Sequence, residues 1–310
     1  AGHTEAVKRI LASGLEPSFL TLSRAGGGGK MAVELARENN RAGALRALAP
    51  RKSDEDISFA AASLEPALVA ARDDNLDRLK RCDLTAAVGG VTALHMAARH
   101  GHVDVVKYLL DNGCSVAAAT THGFTALHFA AEEGFDPVVQ ALLEADAAVD
   151  QPNALNWSPL LLAAIYDQCG VASLLIAHKA DVNRQIEQHR EWSTPLLAAT
   201  DAGAEQMVRL LLDAKADIHQ GQPILGESGS GLDGWFPLMD ACQCGAHVLA
   251  KLLINQGANA NQTLRGQSTP LYFAACNGHF ECCQHLIEAK AWVNQYDTSN
   301  GRGPMYWAAR

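Results

Sequence analysis

The sequence predicts an all-α chain, a solenoid of stacked helix-turn-helix units joined by short β-hairpin-like loops. Three observations predict it. One phrase recurs about every 33 residues, a second and more apolar phrase lies between its copies, and the composition is apolar enough to fill a long core. The chain has 310 residues, of which 48% are hydrophobic and 19% charged, so burial rather than charge dominates its folding.

The recurrence opens at "TALHMAARHGH", Thr92 to His102, and returns at "TALHFAAEEGF" from Thr125 and "SPLLLAAIYDQ" from Ser158. Further copies start at Thr194, Phe236, Thr269 and Gly303, giving steps of 33, 33, 36, 42, 33 and 34 residues. Weaker copies lie upstream, from Met31 and from Glu65. Between copies sit "VDVVKYLLDNG" (103–113), "MVRLLLDAK" (207–215) and "VLAKLLINQG" (248–257). Each unit therefore reads as two helices and a turn.

The first helices are rich in alanine, as at Ala97, Ala98, Ala130 and Ala131, which lets neighbouring helices approach closely. The second helices carry Val105, Val106, Leu109 and Leu110 at helical spacing, a wide stripe to bury. One pair has apolar flanks on both sides and cannot cover them alone. Stacking the pairs covers them continuously. A short extended piece such as "ADVN" (180–183) is expected after each second helix, then a polar tip.

These features resemble the ankyrin repeat family: the period, the Thr-Pro-Leu-His-like openings, the Gly-His before the second helix and the Ala-Asp-Val-Asn-like close. The resemblance is strong over 65–310, with first helices near 65, 92, 125, 158, 194, 236, 269 and 303, and more divergent over 1–64. "GHTEAVKRILASG" (2–14) reads as a second helix without its first, and "GPMYWAAR" (303–310) as a first helix without its second. The expectation is a longer array cut at both ends.

The resemblance implies structural work for the histidines of the opening phrase. Thr92 and Thr125 start their helices, and His95 and His128 bond to nearby backbone. Leu161, Leu197, Met239, Tyr272 and Tyr306 stand at the histidine slot of later copies, a replacement that packing tolerates and catalysis does not. His102 and His279 fall in the turn between helices, another structural place.

Other motifs read as structure as well. "AGGGGKM" (25–31) departs from a phosphate loop, with Arg24 at the required glycine and Met31 where Ser or Thr is needed. "GESGSG" (226–231) lacks the nucleophile-elbow spacing. In "CNGHFECCQH" (276–285), Cys282 and Cys283 take the slots of Val105 and Val106, so they are expected as small core residues rather than zinc ligands. Cys244 is expected at an exposed helix end. No metal and no cofactor is expected.

Lys plus Arg number 25 against 34 Asp plus Glu, a net charge of −9, which argues against nucleic acid as a partner. No apolar run approaches the roughly 20 residues that span a bilayer, so direct membrane insertion is not expected. The eight cysteines follow no disulfide framework, which places the expected compartment in the reducing cytoplasm or nucleus.

The expected function is therefore binding one or more other proteins, with no chemistry of its own. The alternative is a targeting or regulatory arm of a larger polypeptide, such as a channel, a ligase adaptor or an effector enzyme. The resemblance places binding on the hairpin tips and the exposed ends of first helices. Helix-end candidates are Arg99, Glu132, Glu133 and Tyr166, beside neighbours such as Ile165. Tip candidates are Trp157, Glu187, Arg190, Trp192, Ile224, Leu225 and Trp235. Two lengthened tips, 184–193 and 220–235, each carry a tryptophan and are expected to be the principal interface. Finally, Asp146, Lys179, Lys215 and Lys290 occupy the turn position that Gly113 and Gly257 hold elsewhere, so a left-handed backbone is expected there.

Overall fold

In each layer the backbone is extended at one residue and helical at the next. Thr92 (φ −106°, ψ 171°), Thr125, Ser158, Thr194 and Thr269 are all extended N-caps. The side chains of Ser158, Thr194 and Thr269 accept the backbone N–H three residues on, each at 3.2 Å, which satisfies a donor the helix itself leaves open. Proline follows at Pro159, Pro195, Pro237 and Pro270, where its missing N–H costs nothing.

The computed structural model describes residues 21–22, 30–31, 65–185, 194–221, 234–264, 268–296 and 301–309. The chain divides into two units, one of residues 51–189 and 209–216, the other of 1–50, 190–208 and 217–310.

The first unit contains helix α1 (Pro66–Arg72), α2 (Leu76–Leu79), α3 (Ala93–His100), α4 (Val103–Asp111), α5 (Ala126–Glu133), α6 (Asp136–Glu144), α7 (Pro159–Ile165) and α8 (Cys169–Ala177). First helices pack in the series α1, α3, α5, α7, and second helices in the series α4, α6, α8. Ala97, Ala98, Ala130, Ala131, Ala163 and Ala164 have no accessible surface, as close helix approach requires. Val105, Val106 and Leu109 are fully buried, each large side chain contributing about 1.5–3 kcal/mol. Leu110, expected in the same stripe, is only half-buried.

Within this unit the first two tips pair as hairpins. Ala87–Val88 pairs antiparallel with Val91–Thr92, and Ala119 bridges Thr125. Successive tips also bond to one another, Thr121 N–H to Gly89 O at 3.3 Å and Ala154 N–H to His122 O at 2.9 Å. The segment expected to be extended after α8 is instead a turn, in which Asp181 Oδ1 accepts the Asn183 N–H at 2.9 Å. Short polar side chains favour this local bond over strand geometry.

The second unit contains α9 (Pro195–Asp201), the start of α10 (Glu205–Asp213), α11 (Pro237–Cys244), α12 (His247–Asn255), α13 (Pro270–Cys276), α14 (Phe280–Glu288) and α15 (Pro304–Ala308). First helices pack in the series α9, α11, α13, α15, with α12 against α14. Thr21–Leu22 pairs antiparallel with Lys30–Met31, so a strand pair brackets the glycine run. The turns after second helices are left-handed as expected: φ is 60° at Asp146, 67° at Lys179, 69° at Lys215 and 61° at Lys290, against 79° at Gly113 and 95° at Gly257.

Candidate protein-interaction surface

His95 sits in the third position of α3 and is buried. Its Nδ1 accepts the Thr92 N–H at 3.0 Å, which places the ring proton on Nε2. That proton is donated to Ala118 O, 3.0 Å away in the next hairpin. His128 repeats the arrangement one layer on, with the Thr125 N–H at 3.1 Å and Trp157 O at 3.1 Å. Burial holds its pKa down at about 4, against an ordinary 6.5. A histidine kept neutral and bonded at both nitrogens fastens a helix start to the following tip.

A second tie runs backwards. His102 Nε2 lies 2.8 Å from Arg72 O, Gln168 donates to Glu132 O at 3.1 Å, and His279 Nε2 lies 3.0 Å from Gln243 O. Each side chain precedes a second helix and reaches the first helix of the preceding layer. Gln168 shares the slot of His102 and His279, which Phe135, Ala204 and Ala246 fill in other layers, so the period gives the place and the polar side chain the role.

The helix-end candidates are more enclosed than their sequence position implies. Arg99 Nη1 lies 2.8 Å from Glu133 Oε1 and 3.4 Å from Glu132 Oε2. The Glu132 side chain is 1% accessible and that of Arg99 12%. The expectation of exposed side chains is corrected for both: the guanidinium spans the layer boundary and draws the carboxylate inward. Ile165 is likewise buried, whereas Tyr166 ends α7 half-exposed, its N–H bonded to Leu162 O at 3.0 Å. Cys244, expected at an exposed end, is half-buried, and burial pushes its thiol well up. Cys282 is fully buried as expected, while Cys283 beside it is only half-buried.

Among the tip candidates, Trp157 is half-buried and lends its carbonyl to His128. Trp235 donates its indole N–H to Asp240 Oδ1 at 3.1 Å and meets the Phe273 ring edge-on, centroids 5.0 Å apart. It therefore anchors the foot of the long tip while keeping part of its face open. Glu187, Arg190, Trp192, Ile224 and Leu225 lie outside the described residues, as do most of the two lengthened tips. The structure thus brings Arg99, Glu132 and Glu133 together and leaves the expected pairing of the two tips unaddressed. Among the described residues, no group of three or more His, Cys, Asp or Glu is arranged to hold a metal ion, and no helix is long and apolar enough to cross a membrane.

A family model described as ankyrin repeats (3 copies) matches residues 1–153, 145–222 and 238–310. The chain belongs to the ankyrin repeat family. Ankyrin repeats generally mediate protein–protein interaction. Over 289 residues the chain is 31% identical to the Caenorhabditis elegans ankyrin repeat and KH domain-containing protein mask-1, covering 92% of this chain and 8% of that protein. It is 30% identical to the human transient receptor potential cation channel subfamily A member 1, over 72% of this chain and 23% of the channel. It is also 30% identical to a probable E3 ubiquitin-protein ligase, XBOS33, of Oryza sativa subsp. japonica, over 75% of this chain and 39% of the ligase. The ankyrin repeat domain of human ASB11 superposes with a TM-score of 0.60 at 24% identity, over 70% of this chain and 92% of that one. The chain therefore spans well under half the length of these curated relatives.

Proposed function

We propose that this chain is a protein-recognition module without catalysis, working in the cytoplasm or nucleus, whose principal contact is made at the lengthened tips. The observation that carries this reading is how the reactive side chains are used. His95, His102, His128 and His279 are each bonded to backbone of an adjacent layer, which leaves the half-open aromatic faces of Trp235, Trp157 and Tyr166 as recognition elements. Tryptophan and tyrosine concentrate interface energy, with single truncations costing about 2 kcal/mol or more at true hot spots.

The test is capture of partners from cell extract with the folded chain, followed by quantitative binding of the principal one. Trp192→Ala, Trp235→Ala and deletion of residues 224–231 are each expected to weaken binding about tenfold or more, at unchanged helical content. Undiminished affinity in all three would move the interface off the tips. Tyr166→Ala then examines the helix ends; Arg99 and Glu132 are unsuitable because their loss disturbs packing.

A second reading has its own support. The relatives above include a channel and a ligase of which the matching region is 23% and 39%, so the same module would serve as the targeting or regulatory arm of a larger polypeptide. A membrane-spanning run or catalytic domain on the same transcript would favour that reading.

A further inference from the structure

One carboxylate of the second unit stands in a slot that packing fills with apolar side chains. Asp240 lies in the first turn of α11, and the same slot holds Met96, Phe129, Leu162, Ala198 and Phe273 in other layers. Asp240 is buried nonetheless, at a cost in stability that an apolar residue would not incur. Its Oδ1 accepts the Trp235 indole N–H at 3.1 Å. Trp157 occupies the Trp235 slot in an earlier layer, where Leu162 stands in place of the carboxylate. The fold therefore seats a tryptophan at the foot of a tip without an aspartate in that slot.

We propose that the Trp235 face, backed by Asp240, is a seat for an arginine side chain of a protein partner. The proposal rests on the reading of Trp235 as a recognition element and gives that element its chemistry. An indole face attracts cations through the quadrupole of its ring. Donating the indole N–H to a carboxylate pushes electron density onto the ring and sets a negative charge close behind it. Both effects favour a cation on the open face. Trp235, Phe273 and Tyr272 are all half-exposed. Trp235 meets Phe273 edge-on with centroids 5.0 Å apart, and Phe273 meets Tyr272 edge-on at 5.5 Å, so the three rings form one aromatic surface.

Charge selects the occupant. The chain carries a net charge of −9, and the negative field extends to this surface: after burial, the charges of Asp240 and Asp201 are what push the Cys244 thiol up. A guanidinium suits the seat better than an ammonium, because it is flat, weakly hydrated and stacks on aromatic faces. The same unit already makes this contact once, with the Arg302 guanidinium 4.8 Å from the centroid of the Tyr306 ring.

The experiment follows the fluorescence anisotropy of a labelled Gly-Arg-Gly-Arg-Gly peptide with the full chain. A second peptide carries citrulline, which keeps the shape of arginine without its charge. The arginine peptide is expected to bind about fivefold more tightly. Trp235→Leu should abolish that preference and Trp157→Leu should leave it intact. Asp240→Asn, which retains an acceptor for the indole N–H, should cut it to about twofold. Equal binding of the two peptides, or a preference that survives both Trp235→Leu and Asp240→Asn, would overturn the proposal. So would an Asp240→Asn chain that melts lower yet keeps the full preference, which would assign Asp240 to the fold alone. Loss of the principal partner in Trp235→Ala, with the two peptides bound alike, would keep the tip as a recognition surface and remove only the arginine. An arginine preference that needs Trp235, with partner affinity undiminished in the tip variants, would do the reverse.

Discussion

The layers that begin at Thr92 and Thr125 start their helices differently from those at Thr194, Phe236 and Thr269. In the first group, alanine follows the cap and a buried histidine ties it to the next hairpin. In the second, proline follows the cap, and Leu197, Met239 or Tyr272 stands in the histidine slot. The layer at Ser158 already uses proline and Leu161. One solution spends a directional polar bond across layers; the other presets φ and packs. The same fold accommodates both because each supplies what the helix start lacks, but only the histidine version titrates.

Acid should separate the two groups most strongly. Folded His128 takes up a proton only near pH 4, whereas the unfolded chain does so near 6.5. The unfolded state therefore binds more protons between these values, and stability falls as pH drops from about 6.5 to 4, then levels. The loss is roughly 3 kcal/mol. Peptide-resolved hydrogen exchange should show residues 93–144 losing protection across that window more than residues 237–288. His128→Gln should remove this titration, and an unchanged acid limb in that variant would place the sensitivity elsewhere.

Removing the cap is the next largest effect. Thr125→Val forfeits the hydroxyl that lies 2.8 Å from His128 Nδ1 as well as the cap bond, and should cost about 2 kcal/mol. Thr194→Val loses only the bond to the Leu197 N–H, about 1 kcal/mol. Denaturant midpoints with constant slopes would measure both, and equal losses would erase the distinction between the groups.

The smallest effect has the opposite sign. Lys179 and Lys215 hold left-handed backbone, so Lys179→Gly and Lys215→Gly should each stabilise by a few tenths to about 1 kcal/mol. Midpoints that fall in both variants would show that the lysine side chains contribute more than their backbone costs.

Much of the fold is legible in the sequence because repetition multiplies a weak signal. The starts at Thr92, Thr125, Ser158, Thr194, Phe236 and Thr269 each precede the first helical residue by one position. The surface is far less legible. The burial of Glu132 depends on Arg99, a residue 33 positions earlier and one layer away, and no pattern within a single repeat carries that information. Cys244 shows the same limit: whether a helix end is open is decided by what the neighbouring layer places against it.

The forward and backward ties have a consequence for how the chain opens. The layer at Thr92 is bonded ahead through His95 to Ala118 and behind through His102 to Arg72. The next is bonded ahead through His128 to Trp157, and Gln168 reaches back to it at Glu132. Melting an interior layer thus strands polar groups on both sides at once, whereas fraying from an edge strands them on one. Within residues 65–185, slow exchange should therefore report a travelling boundary between ordered and disordered chain, rather than bubbles opening independently in the middle.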